Sequence, residues 1–286
     1  MKEDHFYIGW QDKAPMPYKR FVKGIVIGWI ILAAILGSVL PARQRTFSKA
    51  TFEYGKLTQL TGIYFSLPVP HLLVNRQQGS VMIPLVGYGK HGAAGIMSEL
   101  EQQAKISLNA RELTLKGTLI YGDGKTLMQV DGNDQPLVAV SKLGIMEQEA
   151  EKALGPLTVN GEVVDPKCYF GVMKPGEGKA HKDCAIRCIL GGIPPVYSLT
   201  DERGLKSYLL LVNANGEPVN EQVRDLVGIP STLSGQAYRY ADWTLLRIGE
   251  MHALASLKNV SDVREDGICG TAMAACPMAD CKKHKE

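Results

Sequence analysis

The chain has 286 residues, 45% of them apolar, with 32 basic and 29 acidic side chains and a net charge of +3. That length and apolar share suffice for one large or two small domains and exclude a disordered chain. Both signs are spread along the sequence, which excludes a general electrostatic attraction to nucleic acid.

Residues 1–20 read as a short arm carrying Lys2, Lys13, Lys19 and Arg20. From Val22 to Leu40 the chain runs VKGIVIGWIILAAILGSVL, with Lys23 as its only charge. At about 1.5 Å per residue this roughly spans a bilayer core, so a transmembrane helix is expected over 21–41, ended by Pro41. A cleaved signal peptide is the alternative, but the preceding region is long and holds acids, and Leu40-Pro41-Ala42 is a poor cleavage site. The basic residues before the span narrowly outnumber Arg43, Arg45, Lys49 and Lys56 beyond it. A short arm, one span and a large C-terminal body together suggest a single-pass inner-membrane protein with a periplasmic body. That compartment admits disulfides and copper.

The body repeats itself. Leu115-Lys-Gly117-Thr-Leu-Ile-Tyr-Gly-Asp-Gly-Lys-Thr126-Leu127-Met-Gln-Val130 aligns without a gap on Leu233-Ser-Gly235-Gln-Ala-Tyr-Arg-Tyr-Ala-Asp-Trp-Thr244-Leu245-Leu-Arg-Ile248. Each copy reads as strand, tight turn and strand, with Gly122-Asp123-Gly124 supplying turn chemistry in the first. Leu60-Thr-Gly62-Ile-Tyr-Phe and Leu157-Thr-Val-Asn-Gly161-Glu-Val-Val read as matching opening strands. Between opening strand and hairpin, the first copy offers strands at His71 and Ser80 and a helix around Gly95. The second offers strands at Pro195 and Ser207 and a short helix from Asn220 to Val227.

Three strands, a helix and two strands is the order of an OB-type barrel, so the body resembles two such domains in tandem. The expected fold is mainly β: a first OB-like domain over 42–150, a second over 151–258, each a five-stranded barrel with a helix, and a Cys/Met-rich tail over 259–286. Neither copy interleaves basic and stacking aromatic residues as single-strand binders do, so no nucleic-acid partner is expected.

The opening glycines lie 99 residues apart and the hairpin glycines 118 apart, so the second copy has gained residues between them. The gain falls at 166–194, in the loop after the copy's first strand. It carries Cys168, Met173, His181, Cys184 and Cys188, whereas the first copy has no cysteine. Lys179 to Ile189 has helix-compatible composition and stops at Gly191-Gly192. On a helix His181, Cys184 and Cys188 share a face, and Cys168 would have to fold back to join them. Three thiolates and an imidazole suit tetrahedral zinc; Cys184 and Cys188 with His181 and the Met173 thioether suit copper. A structural disulfide or a reversible thiol pair fits the same residues. The Cys184-x-x-x-Cys188 element is similar to one in copper-delivery proteins of respiratory oxidases and in the oxidase copper subunit, where further histidine and methionine ligands lie downstream; here Gly191-Gly192-Ile-Pro-Pro follows.

In the tail, Cys269, Cys276, Met278, Cys281 and His284 form a second sulfur-rich set that suits Cu(I) or pairs in disulfides. Asp165 reads as a turn cap, Glu177 and Asp183 as solvated, and His71, His91 and His252 as surface or satisfied histidines. No Cys-x-x-Cys-His for c-type haem, no Rieske pair, and no nucleotide or hydrolase motif is present. The sequence therefore points to a membrane-anchored accessory or assembly protein of a membrane redox complex, non-catalytic, binding copper or zinc or cycling thiols. The alternative is a structural adaptor that docks a partner protein and whose cysteines stabilise a loop.

Overall fold

The computed structural model describes residues 15–44, 50–77, 79–132, 135–141, 148–171, 173–201 and 203–253, the last four as backbone only. The chain divides into two compact units, Met1–Phe47 and Ser48–Glu286.

In the first unit α1 (Met16–Arg43) is the one helix among the described residues long and apolar enough to cross a membrane. It is longer than expected and runs past Pro41 for two residues. The proline lacks an N–H and stops the helix within its last turn, where the Gln44 N–H bonds back to the Pro41 carbonyl at 3.2 Å.

The second unit is mainly β. Its first part comprises β1 (Ala50–Phe52), β2 (Thr58–Phe65), β3 (His71–Arg76), β4 (Gly79–Val86), α2 (Ala94–Ala104), β5 (Arg111–Gly122), β6 (Lys125–Val130) and β7 (Leu137–Val140). These strands form one seven-stranded sheet in the order β1-β5-β2-β3-β4-β6, with β7 on β5 and a further pairing between β5 and β6. Alternating burial along β5 places Leu113 and Leu115 in one core with Met97 and Leu100 of α2, while Ile120, an odd number of residues further on, is buried in a different cluster.

The second part comprises β8 (Lys152–Val164), α3 (Pro166–Tyr169), α4 (Lys182–Leu190), β9 (Val196–Thr200), β10 (Lys206–Val212), a 3₁₀ turn over Arg224–Leu226, β11 (Pro230–Tyr240) and β12 (Trp243–Ala253). Its five strands close into a barrel, β10-β12-β11-β8-β9. The short helix expected over 220–227 is only that 3₁₀ turn. Asn220 is committed elsewhere: its amide donates to the Ile189 and Ile193 carbonyls at 2.7 and 2.8 Å, capping the end of α4. From Glu250 the chain continues β12 to Ala253.

The repeat extends to pairing register. Both hairpins turn through a residue at positive φ, Asp123 at 49° and Ala241 at 49°. Gly117 and Gly235 sit where a strand crosses its hairpin partner so closely that a Cβ would fall 2.3 Å from the Gln129 carbonyl oxygen and 2.2 Å from that of Arg247. Leu85 pairs in parallel with Met128, and Leu211 with Leu246, at the same hairpin offset.

Each hairpin tip reaches into the other sheet. Tyr208 on β10 donates from its hydroxyl to Asp123 Oδ2 at 2.6 Å. Reciprocally, the Met82 N–H on β4 donates to Asp242 Oδ1 at 2.8 Å and Trp243 Nε1 donates to the Met82 carbonyl at 3.1 Å. Met82 and Tyr208 hold equivalent places, each three residues before the parallel-paired leucine. One apolar core runs between the two parts, joining Phe65, Val86 and Ile120 to Phe170, Tyr208 and Trp243.

Candidate metal or thiol site

The cysteine-bearing insertion connects β8 to β9. Asp165 follows β8 and caps α3: its Oδ1 accepts from the Lys167 N–H at 2.9 Å, and Pro166 occupies the first helical position, where a missing N–H costs nothing. This single turn folds the chain back and brings Cys168 toward α4. His181 is the residue before α4, and its carbonyl accepts from the Ala185 N–H at 2.9 Å; Cys184 and Cys188 follow one turn apart. Asp183 lies exposed in the first turn of α4, where a negative charge favours the helix dipole.

The site is closed from the other sheet. The segment after β4 runs along the end of α4, with the Gly92 N–H donating to the Gly191 carbonyl at 2.8 Å. A Cβ on Gly191 would lie 1.9 Å from the Lys90 carbonyl oxygen, and one on Gly92 2.1 Å from that of Gly192, so only glycines permit this approach. Buried Lys167 donates from Nζ to the Gly87 and Gly89 carbonyls, both at 2.7 Å. Held in this way, Lys90 places its ammonium 2.9 Å from Cys184 Sγ and 4.0 Å from Cys188 Sγ.

The chemistry lies in two overlapping groups. The sulfurs of Cys168, Cys184 and Cys188 are within 4.8 Å of one another, and all three are free thiols. One ligand atom each from Asp165, Cys168 and His181 likewise lies within 4.8 Å of the others. Asp165 Oδ2 and His181 Nε2 are buried without a hydrogen-bond partner. The Cys168 thiol is pushed well up from its ordinary range, first by its hydrogen bond to Cys188, then by burial, with the Asp165 carboxylate adding to both. Burial lowers His181, holding the imidazole neutral at pH 7, and the hydrogen bond to Cys184 raises Lys90, which stays an ammonium.

Family models, curated proteins and solved structures were compared with this chain, and none matches. The barrel agrees with a generic small β-barrel resemblance, and no similarity to copper-delivery proteins is shown.

Of the residues singled out from the sequence, Cys168, Cys184 and Cys188 come together. His181 groups with Asp165 and Cys168 rather than with all three sulfurs, so the expected set of four is not formed. Met173 is 40% exposed, and its N–H donates to the Cys168 carbonyl at 3.2 Å. Cys269, Cys276, Met278, Cys281 and His284 lie outside the described residues. Glu177, expected in solvent, pairs with Lys206 at 3.0 Å. His71 is a satisfied buried histidine, as expected.

Sequence reasoning missed Lys90 and Lys167 and read Asp165 as a cap alone. Asp165 does cap, through one oxygen, and its place beside Pro166-Lys167-Cys168 was the available signal for the other. Lys90 stands 94 residues from Cys184 in a copy without cysteines, and nothing local marks it.

Proposed function

We propose that the chain is a membrane-anchored, extracytoplasmic metal-binding protein, holding copper or zinc at Cys168, Cys184 and Cys188 as an accessory or assembly factor of a membrane redox complex. The observation that carries this reading is three free thiols with sulfurs within 4.8 Å of one another. An ion held at about 2.3 Å from each of three sulfurs needs them about 4 Å apart, so a small contraction suffices. The Lys90 ammonium offsets part of the thiolate charge from outside the coordination shell. α1, long and apolar enough to cross a membrane, supplies the anchor in this reading.

The architecture that fits this role is two OB-type barrels. In the seven-stranded sheet the pairings β5–β2, β2–β3, β3–β4, β4–β6 and β6–β5 follow the same circuit as the closed barrel, which supports reading it as the first copy. A reversible disulfide is a second reading, favoured by the free thiols of Cys168 and Cys188 lying with their sulfurs within 4.8 Å of each other.

The test is elemental analysis with thiol counting on the full chain, purified in detergent without reductant, beside Cys184→Ser. About one copper or zinc per chain, lost in Cys184→Ser while the fold is kept, is the expected result. No ion and a Cys168–Cys188 disulfide that mild reductants open without unfolding gives the site to thiol cycling. No ion and no such disulfide overturns both readings and leaves an adaptor role.

A further inference from the structure

Three sulfurs around one ion leave part of the buried chemistry unused. Asp165 is 0% exposed and His181 2%, yet Asp165 Oδ2 and His181 Nε2 have no partner. A buried polar atom left unpaired loses its hydration with nothing in return, so two at one place are an unfavourable arrangement unless a ligand meets both. They do not bond each other, although one carboxylate oxygen of Asp165, one ring nitrogen of His181 and Cys168 Sγ lie within 4.8 Å of one another. The Asp165 carboxylate oxygen is an acceptor, and the neutral imidazole of His181 offers a nitrogen lone pair. A cation is the ligand that takes both.

The donor types indicate which cation. Carboxylate oxygen, imidazole nitrogen and thiolate sulfur together make the borderline set that zinc accepts, whereas the neighbouring group is sulfur alone and softer. Cys168 is common to the two groups, and a thiolate sulfur has lone pairs enough to bridge two ions. The flanking structure holds these donors in place: Asp165 is fixed by its cap bond to the Lys167 N–H, and His181 stands at the start of α4, its N–H donating to the Gly178 carbonyl at 3.0 Å.

We propose that Asp165, Cys168 and His181 form a second cation subsite, for a divalent ion of borderline softness such as Zn²⁺, joined to the three-sulfur subsite through the shared Cys168 sulfur. The proposal rests on the metal reading of that first subsite. Loading requires the Cys168 thiol to lose its proton to solvent once, and the resulting thiolate serves both ions.

The experiment uses the full chain in detergent with Cys269, Cys276 and Cys281 changed to serine, so that tail thiols do not contribute. The protein is dialysed against zinc and the bound zinc counted per chain, with circular dichroism checking the fold. Two ions are expected in this parent, and one in His181→Ala and in Asp165→Asn. Asp165→Asn retains the cap while removing the charge, and decides the matter if His181→Ala does not fold. One ion in the parent and in both variants overturns the second subsite and leaves the three-sulfur reading standing. One ion in the parent and none in His181→Ala overturns it as well, making His181 a ligand of a single mixed centre. No ion in any of them sinks the three-sulfur reading together with the proposal.

Discussion

A relay of hydrogen bonds fixes the charge of His71. Gln148 donates to the Tyr240 hydroxyl at 3.2 Å, Tyr240 donates to His71 Nε2 at 2.9 Å, and His71 Nδ1 donates to the Val69 carbonyl at 2.7 Å. The carbonyl can only accept, so Nδ1 carries the proton and Nε2 is the acceptor. Burial lowers the imidazole from 6.5 to about 4, against a smaller opposing effect of the Val69 bond. Between these values the unfolded chain binds a proton that the folded one refuses. The stability from keeping His71 neutral is therefore complete above pH 6.5 and is lost as pH falls toward 4, by about 3 kcal/mol. Urea unfolding at pH 7 and pH 4.5 checks this, and His71→Phe should flatten the difference. Tyr240→Phe orphans Nε2 and should lower stability by about 1–3 kcal/mol at pH 7. At this scale the sequence was readable where chemistry is local: three cysteines within a short insertion announced a thiol cluster. Partners were unreadable where they come from another strand of the fold, as Tyr240 does for His71 and Lys90 for Cys184.

Among the elements, α4 and both hairpins follow from local signals, the helix from its Gly191-Gly192 stop and the hairpins from their turn residues and gapless match. What the spacing of α4 could not reveal is that its glycines are an interface as much as a stop. Gly191→Ala would drive a methyl into the Lys90 carbonyl, where a Cβ has only 1.9 Å, and no flexible side chain can give way. We expect Gly191→Ala to cost at least about 1–3 kcal/mol and to displace the Lys90 segment, read as a lower melting temperature and faster alkylation of Cys184. Lys167→Met would strip the Gly87 and Gly89 carbonyls of their shared donor and should give the same faster alkylation. Unchanged alkylation in both would show that the segment does not guard the thiols. The 3₁₀ turn at Arg224–Leu226 was misread as a helix because an apolar spacing says nothing of Asn220 being drawn off to cap α4.

Across the whole molecule, reciprocal hairpin tips and one apolar core tie the two copies together. The Asp242 tip also receives Lys125 at 3.2 Å from the neighbouring hairpin, and Lys125 lies over the Trp243 ring at 4.6 Å. Residues 48–253 should therefore unfold in one calorimetric transition. Asp123→Ala and Asp242→Ala should each cost about 1–3 kcal/mol of stability and so lower that single midpoint temperature. Two resolved transitions would show that the copies are independent. The duplication itself was legible because two hairpins match without a gap, but the docking was not, since its contacts join positions some 85 to 160 apart with no periodic signature.

The placement of Lys90 has a consequence in time. A ribosome delivers the glycine-flanked segment first and the last sulfur, Cys188, about 100 residues later. Until that later stretch has emerged and docked, the thiols have no ammonium beside them and the segment has no helix end to rest on. The thiol cluster is thus enclosed only when both parts of the body are in place, so slow alkylation of Cys184 would report that the two parts have docked.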